Sequence, residues 1–164
     1  MNKGVLAGIV IALVAAVGLL VISQTQPSAT SSSTNSSAVG LCDAIPAAAT
    51  GLTNDNVTAL KTEDQSLGTG AEAIAGKPIV MNYIGRLVDG TQFDTSCGKG
   101  SPFEFNLGRG QVIQGWDQGI VGMKVGGKRR LIIPASLGYG AAGAGVVIPP
   151  NAALVFDVEL IGIK

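Results

Sequence analysis

Alternation of apolar and polar positions organises the C-terminal two-thirds of this chain. In "ALVFDVELIGI" (residues 153–163) Leu154, Phe156, Val158 and Leu160 fall on one side and Asp157 and Glu159 on the other, the period of a half-buried strand. "SPFEFNLG" does the same with Phe103, Phe105 and Leu107 against Glu104 and Asn106. "PIVMNYIGRL" (78–87) is β-like and stops just ahead of Asp89-Gly90, a hairpin signal, and "KRRLIIP" reads as a further strand. One stretch breaks the pattern. In "GQVIQGWDQGI" (110–120) Val112, Trp116 and Ile120 lie four apart, Met123 follows three later, and Gln114, Asp117 and Gln118 take the opposite side, which predicts a helix of about two turns. Gly115 and Gly119 would let that helix approach a sheet closely. The elements predict a twisted antiparallel sheet of four to six strands with one wet face, and one short helix on its apolar face. Lys124, Lys128, Arg129 and Arg130 read as a solvated strand face.

The first third reads differently. Gly4 to Ile22 is 19 residues without a charged or strongly polar side chain, about 28 Å as a helix, close to the ~30 Å hydrocarbon core of a bilayer. It is either a transmembrane signal-anchor (residues 1–22) or a signal peptide that is cleaved. Lys3 precedes it and no Lys or Arg follows until Lys61, which places the remainder outside the cytoplasm: tethered by residues 4–22 in the first case, secreted or periplasmic in the second. From Ser23 to Ala38, ten of 16 residues are Ser or Thr and none is charged, so residues 23–56 are expected to be a flexible linker and residues 57–164 the folded domain.

Composition narrows the chemistry. The chain has no histidine, which excludes Ser-His-Asp and Cys-His catalysis and any histidine-bound metal. Cys42 and Cys97 cannot hold zinc unaided, so neither metal nor cofactor is expected. The net charge of zero gives no reason to expect a nucleic-acid partner. With aromatics at 4%, the single tryptophan set among glycines stands out; on helical spacing alone Trp116 is either sealed core or the wall of a site.

"YIGRLVDGTQFDTS", "GQVIQGWDQGIVGMKVGGKRRLIIP", "LGYG" and "VIPPNAALVFDVELI", in that order and with nearly gap-free spacing, resemble the FKBP family of peptidyl-prolyl isomerases. The resemblance covers about residues 57–164. It implies an α+β fold, a half-open antiparallel sheet wrapped around one short helix, with the ligand between them. It implies that Trp116 floors a proline pocket walled by Tyr83, Phe93, Phe103, Val112, Ile113, Tyr139, Ile148 and Phe156, with Asp94 as the pocket carboxylate. Asp94, Tyr139, Trp116 and Phe156 are then the expected catalytic set, the Tyr139 hydroxyl and the Ile113 N–H holding substrate carbonyls. Partners implied are proline-containing polypeptides and rapamycin-type macrolides, bound by a monomer.

Prolyl isomerisation needs no nucleophile. The barrier of ~18–20 kcal/mol is amide resonance, and a twisted amide is less polar than a planar one, so a dry apolar pocket favours it. A chain without histidine can therefore be this enzyme. The rival readings are a non-catalytic peptide-binding chaperone module, and a surface interaction protein that keeps the fold without a working pocket. Three departures from the family pattern bear on the site: Gln111 where an acid is frequent, the slim loop "GAAGAGVV", and Lys99 where a basic partner for Asp94 is common. Outside the cytoplasm, Cys42 and Cys97 are either a disulfide or two unpaired thiols.

Overall fold

The computed structural model describes residues 40–43 and 46–164. The apolar run 4–22 and its two readings lie outside the described residues, as does most of the expected linker. Among the described residues no helix is long and apolar enough to cross a membrane.

Six strands form one antiparallel sheet: β1 (Lys61–Ser66), β2 (Pro78–Leu87), β3 (Gln92–Thr95), β4 (Phe103–Asn106), β5 (Lys128–Ile133) and β6 (Leu154–Ile163). The spatial order is β1-β5-β6-β2-β3, and β4 also pairs with β2. Because β4 pairs with the first half of β2 (Pro78–Met81) and β3 with the second (Ile84–Arg86), the two short strands share one edge of the sheet, parted by the loop 96–102. The turn at Asp89-Gly90 closes the β2–β3 hairpin: the Thr91 N–H donates to Asp89 Oδ1 at 2.8 Å, and Gly90 takes φ +91°.

The helix α1 (Gln114–Gly119) is shorter than the apolar spacing implied, since Val112 and Met123 lie outside it. It sits tight on β5. A Cβ built on Gly115 would come within 2.5 Å of Ile133 Cγ2, and one on Gly119 within 2.8 Å of Leu131 Cδ2. Between helix and sheet lies the main core, to which Ile79, Met81, Tyr83, Phe105, Trp116, Ile120, Leu131, Phe156 and Val158 contribute.

The other face of the sheet is not wet as the alternation predicts. Asp157 is fully buried there, bonded by Arg86 Nη1 (2.8 Å), Arg130 Nε (2.8 Å) and Gln65 Nε2 (2.9 Å). Arg129 and Arg130 are likewise not solvated. Arg129 pairs with Asp64 and also donates to the carbonyls of Gly119 and Val121. The carboxylate can be buried because its lone pairs are taken by cations from two neighbouring strands.

What covers this face is the chain's own N-terminal approach. Arg130 Nη2 donates to the Ala47 carbonyl (2.6 Å), and the Ala153 N–H to Asn54 Oδ1 (2.9 Å). Leu52 and Val57 pack on Ile132 and Ala153 in a second small core. Leu41 is buried and its N–H donates to Glu159 Oε2 at 2.7 Å. Residues 40–43 and 46–56 thus lie against the sheet rather than hanging free as linker. Cys42 and Cys97 form a disulfide, Cα–Cα 5.3 Å, that fastens this approach to the loop after β3.

Candidate active site

Between the N-terminal end of α1 and the inner face of the sheet is a cleft of about 220 Å³ lined by Tyr83, Phe93, Asp94, Phe103, Gln111, Val112, Ile113, Trp116, Tyr139 and Phe156. The structure brings together every site residue expected from the sequence except Ile148 and the two cysteines. Ile148 belongs to the main core without lining the cleft, and its backbone pairs with Ala144 in both directions (2.9 and 3.1 Å) across the slim loop. Val146, at the tip of that loop, is fully exposed.

Trp116 is the floor. Tyr83, Phe103, Phe105 and Phe156 surround it with ring centroids 5.1 to 6.0 Å away, three of the four in edge-to-face geometry. Such contacts lock an aromatic wall in place. The indole N–H is buried with no hydrogen-bond acceptor among the described residues. On the wall, Phe93 and Phe156 meet edge to face at 5.4 Å. They have room because β2 carries Gly85 opposite them; a Cβ there would sit 2.7 Å from Phe156 Cε1 and 2.8 Å from Phe93 Cζ. No sequence pattern had marked Gly85, although a glycine inside a strand is a signal of close approach.

The segment that carries Val112 and Ile113 is braced from both sides. Asp117, in the first turn of α1, accepts from the N–H groups of Gly108 (2.8 Å) and Gly110 (2.9 Å). Gln111 Oε1 accepts from the Asn106 N–H at 2.7 Å, tying the rim to β4, so the glutamine both braces and lines the cleft. Ile113 itself precedes the helix. Its carbonyl accepts from Trp116 and Asp117, and its own N–H has no acceptor among the described residues.

The polar groups divide into occupied and free. Asp94 is occupied: Oδ2 accepts from the Tyr83 hydroxyl (2.6 Å), and Oδ1 from Lys99 Nζ (2.6 Å) and the Thr95 N–H (2.8 Å). Partial burial by itself would raise this carboxyl. The bonds from Lys99, Tyr83 and Thr95, with the lysine charge, outweigh it and hold Asp94 below the usual carboxylate range. Desolvation, then the bond to Asp94 and its charge, push the Tyr83 phenol far above its ordinary value. Desolvation and the Asp94 charge raise Tyr139 as well. The Tyr139 hydroxyl, at the half-open mouth, bonds to no described residue. The cleft therefore offers an apolar floor, the unoccupied Tyr139 hydroxyl and Ile113 N–H at its edge, and one carboxylate that already accepts three hydrogen bonds. That set can bind and orient an amide, but it holds no nucleophile or proton-transfer pair. Among the described residues no cluster of side chains could hold a metal ion.

Comparison with known proteins points the same way. A family model described as FKBP-type peptidyl-prolyl cis-trans isomerase matches residues 70–161, more than half of the chain. An FK506-binding protein of Neisseria meningitidis serogroup A is 56% identical over 99 residues, which are 60% of this chain and 91% of that one. FK506-binding protein 2 of Dictyostelium discoideum is 60% identical over 90 residues, 55% of this chain and 68% of the relative. Among solved structures, AtFKBP13 aligns with TM-score 0.60 and 44% identity over 64% of this chain and 93% of its own. FkpA from Escherichia coli aligns with the same score and identity over 65% and 49% respectively. Matched by that family model over residues 70–161, and by a relative 56% identical over nine-tenths of its length, the chain belongs to the FKBP-type peptidyl-prolyl cis-trans isomerases.

Proposed function

We propose that this isomerase acts on exported, proline-containing polypeptides by binding the twisted prolyl amide more tightly than either planar isomer. The pyrrolidine ring packs on the Trp116 indole between Phe156, Tyr83 and Phe93, where water is excluded. Rotation removes amide resonance and lowers the polarity of the group, so the dry cleft disfavours the planar ground state more than the twisted one. The Tyr139 hydroxyl and the Ile113 N–H hold flanking carbonyls and fix the peptide while the amide turns. The observation that carries this reading is that the Tyr139 hydroxyl and the Ile113 N–H at the cleft bond to no described residue, while the one carboxylate already accepts three hydrogen bonds. The same cleft is the proposed binding place for rapamycin-type macrolides.

The decisive experiment follows cis-to-trans relaxation of a proline tetrapeptide with the full chain. Acceleration over the uncatalysed rate, lost in Trp116→Leu while near-UV circular dichroism remains that of a folded domain, is the expected result. A chain that binds the peptide without accelerating its relaxation would instead be a clamp, the chaperone reading.

We place the site of action outside the cytoplasm on the strength of residues 4–22 and the charge bias around them, with a single N-terminal span or a cleaved signal as the route, and with the domain acting as a monomer. The disulfide supports an oxidising compartment. Fractionation settles the first point: the anchored form resists a high-salt membrane wash, and the cleaved form appears in the soluble extracytoplasmic fraction.

A further inference from the structure

The loop that follows Asp94 is built as a lever between the disulfide and the cleft. Its first part is knotted to β2. The Ser96 N–H and the Thr95 hydroxyl both donate to the Tyr83 carbonyl (3.0 and 2.8 Å), and the Tyr83 N–H donates to Ser96 Oγ (2.9 Å). Its far part is not held in this way. Lys99 stands between Gly98 and Gly100, both at positive φ (+81° and +85°) with open space around them, and among the described residues its one backbone tie is the N–H to the Ser96 carbonyl at 3.1 Å. Glycines on both sides give this stretch high conformational freedom. The Lys99–Asp94 pair is also half exposed, with side chains 57% and 45% accessible, and exposed ion pairs are too weak to order such a loop by themselves. Cys97, two residues before the lysine, carries two further restraints: its N–H donates to Thr95 Oγ1 at 3.0 Å, and its sulfur is bridged to the back of the sheet. Its disulfide partner Cys42 adjoins Leu41, which is buried and bonded to Glu159 of the central strand β6. The back of the sheet is thereby linked covalently to the loop that delivers the ammonium to the cleft's acid.

We propose that the Cys42–Cys97 disulfide is a positioning bond for the isomerase site: it holds Lys99 on Asp94, and through Asp94 holds the cleft tyrosine Tyr83. This rests on the isomerase reading above. Cys97 touches no substrate, and Lys99 reaches the cleft only through the carboxylate. Breaking the bond leaves the fold and the aromatic floor in place, frees Lys99, and lets Asp94 and the Tyr83 hydroxyl drift from the geometry in which the wall is complementary to a peptide.

The test is a mutant cycle on the full chain in the tetrapeptide assay: Cys42→Ser/Cys97→Ser, Lys99→Met, and the three changes combined. The expected result is a loss of about three- to fivefold in kcat/KM for either change, with no further loss when they are combined, because both remove the same link. A purely structural disulfide predicts multiplied losses, or none in the folded fraction, and either outcome overturns the proposal. The second readout is the acid limb of the pH profile. Asp94 faces Tyr83 on β2, Thr95 beside it on β3, Lys99 on the loop that follows, and Tyr139 on the connection between β5 and β6. Losing the lysine contact moves the limb to higher pH in both variants, and Lys99→Arg restores it. If the double serine variant does not fold, the comparison is made on folded wild type treated in the cold with dithiothreitol, which closes to its cyclic disulfide as the bridge takes up two electrons and two protons. An oxidised wild type with no activity would refute the isomerase reading itself, a result separate from an active enzyme indifferent to reduction.

Discussion

Tyr83 donates its hydroxyl to Asp94 Oδ2 at 2.6 Å, so the cleft's carboxylate is committed to a wall residue instead of standing ready to move a proton. The pair orients the wall. Tyr83→Phe keeps the ring and its edge-to-face contact with Trp116 while leaving one carboxylate oxygen without its donor. We expect a stability loss of roughly 1 kcal/mol in urea unfolding and a modest fall in kcat/KM. Asp94→Ala strands both Tyr83 and Lys99, and we expect a larger fall, several-fold or more, with circular dichroism unchanged. Equal activity in the Asp94 variant and wild type would show that the acid has no part in catalysis.

The pH dependence follows from the same groups. Asp94 is held below its ordinary value in the fold, so its stabilising effect is present above the normal carboxylate range and lost as pH falls through the lowered value. Tyr83 and Tyr139 are raised from 10.0, so their contribution is intact below that pH and is lost as pH climbs from there toward their folded values. Between about pH 5 and pH 9 no group in the cleft titrates, and kcat/KM and the urea midpoint should both be flat. A bell centred near neutrality would contradict a mechanism without proton transfer.

Gly115 sets the height of the floor. With Ile133 Cγ2 only 2.5 Å from where a Cβ would stand, Gly115→Ala must lift α1 off β5 and move Trp116 with it. The expected cost is about 1–3 kcal/mol. Peptide affinity should fall along with stability, as read by titration of tryptophan fluorescence.

On the opposite face, Asp157→Ala leaves Arg86 and Arg130 close together with no counter-charge in a buried setting. Removing one partner from such a cluster costs on the order of 3–5 kcal/mol. Chemical denaturation measures the loss, and kcat/KM per folded molecule should stay at the wild-type value because no member of the cluster lines the cleft.

The strands β2, β4, β5 and β6 and the Asp89-Gly90 turn were legible as periodicity, because each has one face in the main core. β1 was not. "KTEDQS" has no apolar face to show, and it is a strand because it pairs with β5, where Glu63 lies opposite Arg130 and Asp64 opposite Arg129. Asp157 misled for a related reason. Alternation reports which side chains are polar, and what covers them is decided by residues far along the chain, here Arg86, Arg130 and the approach at Ala47. The cleft came from ordered motifs in place of periodicity, which is why Ile148 was included and Gly85 missed. A motif marks a position without saying which way the backbone turns its side chain, and a glycine that makes room contributes no contact of its own.

Phe156 and Val158 point to the cleft side of β6, whereas Asp157 and Glu159 point to the side where the incoming chain is fastened at Ala47 and Leu41. Load placed on Gly40 therefore divides at once, through Leu41 to Glu159 of the central strand and through Cys42–Cys97 to the loop after β3. No residue of 40–43 or 46–56 lines the cleft, so the segment that braces the back of the sheet leaves the entrance between Tyr139 and Phe103 free for a peptide.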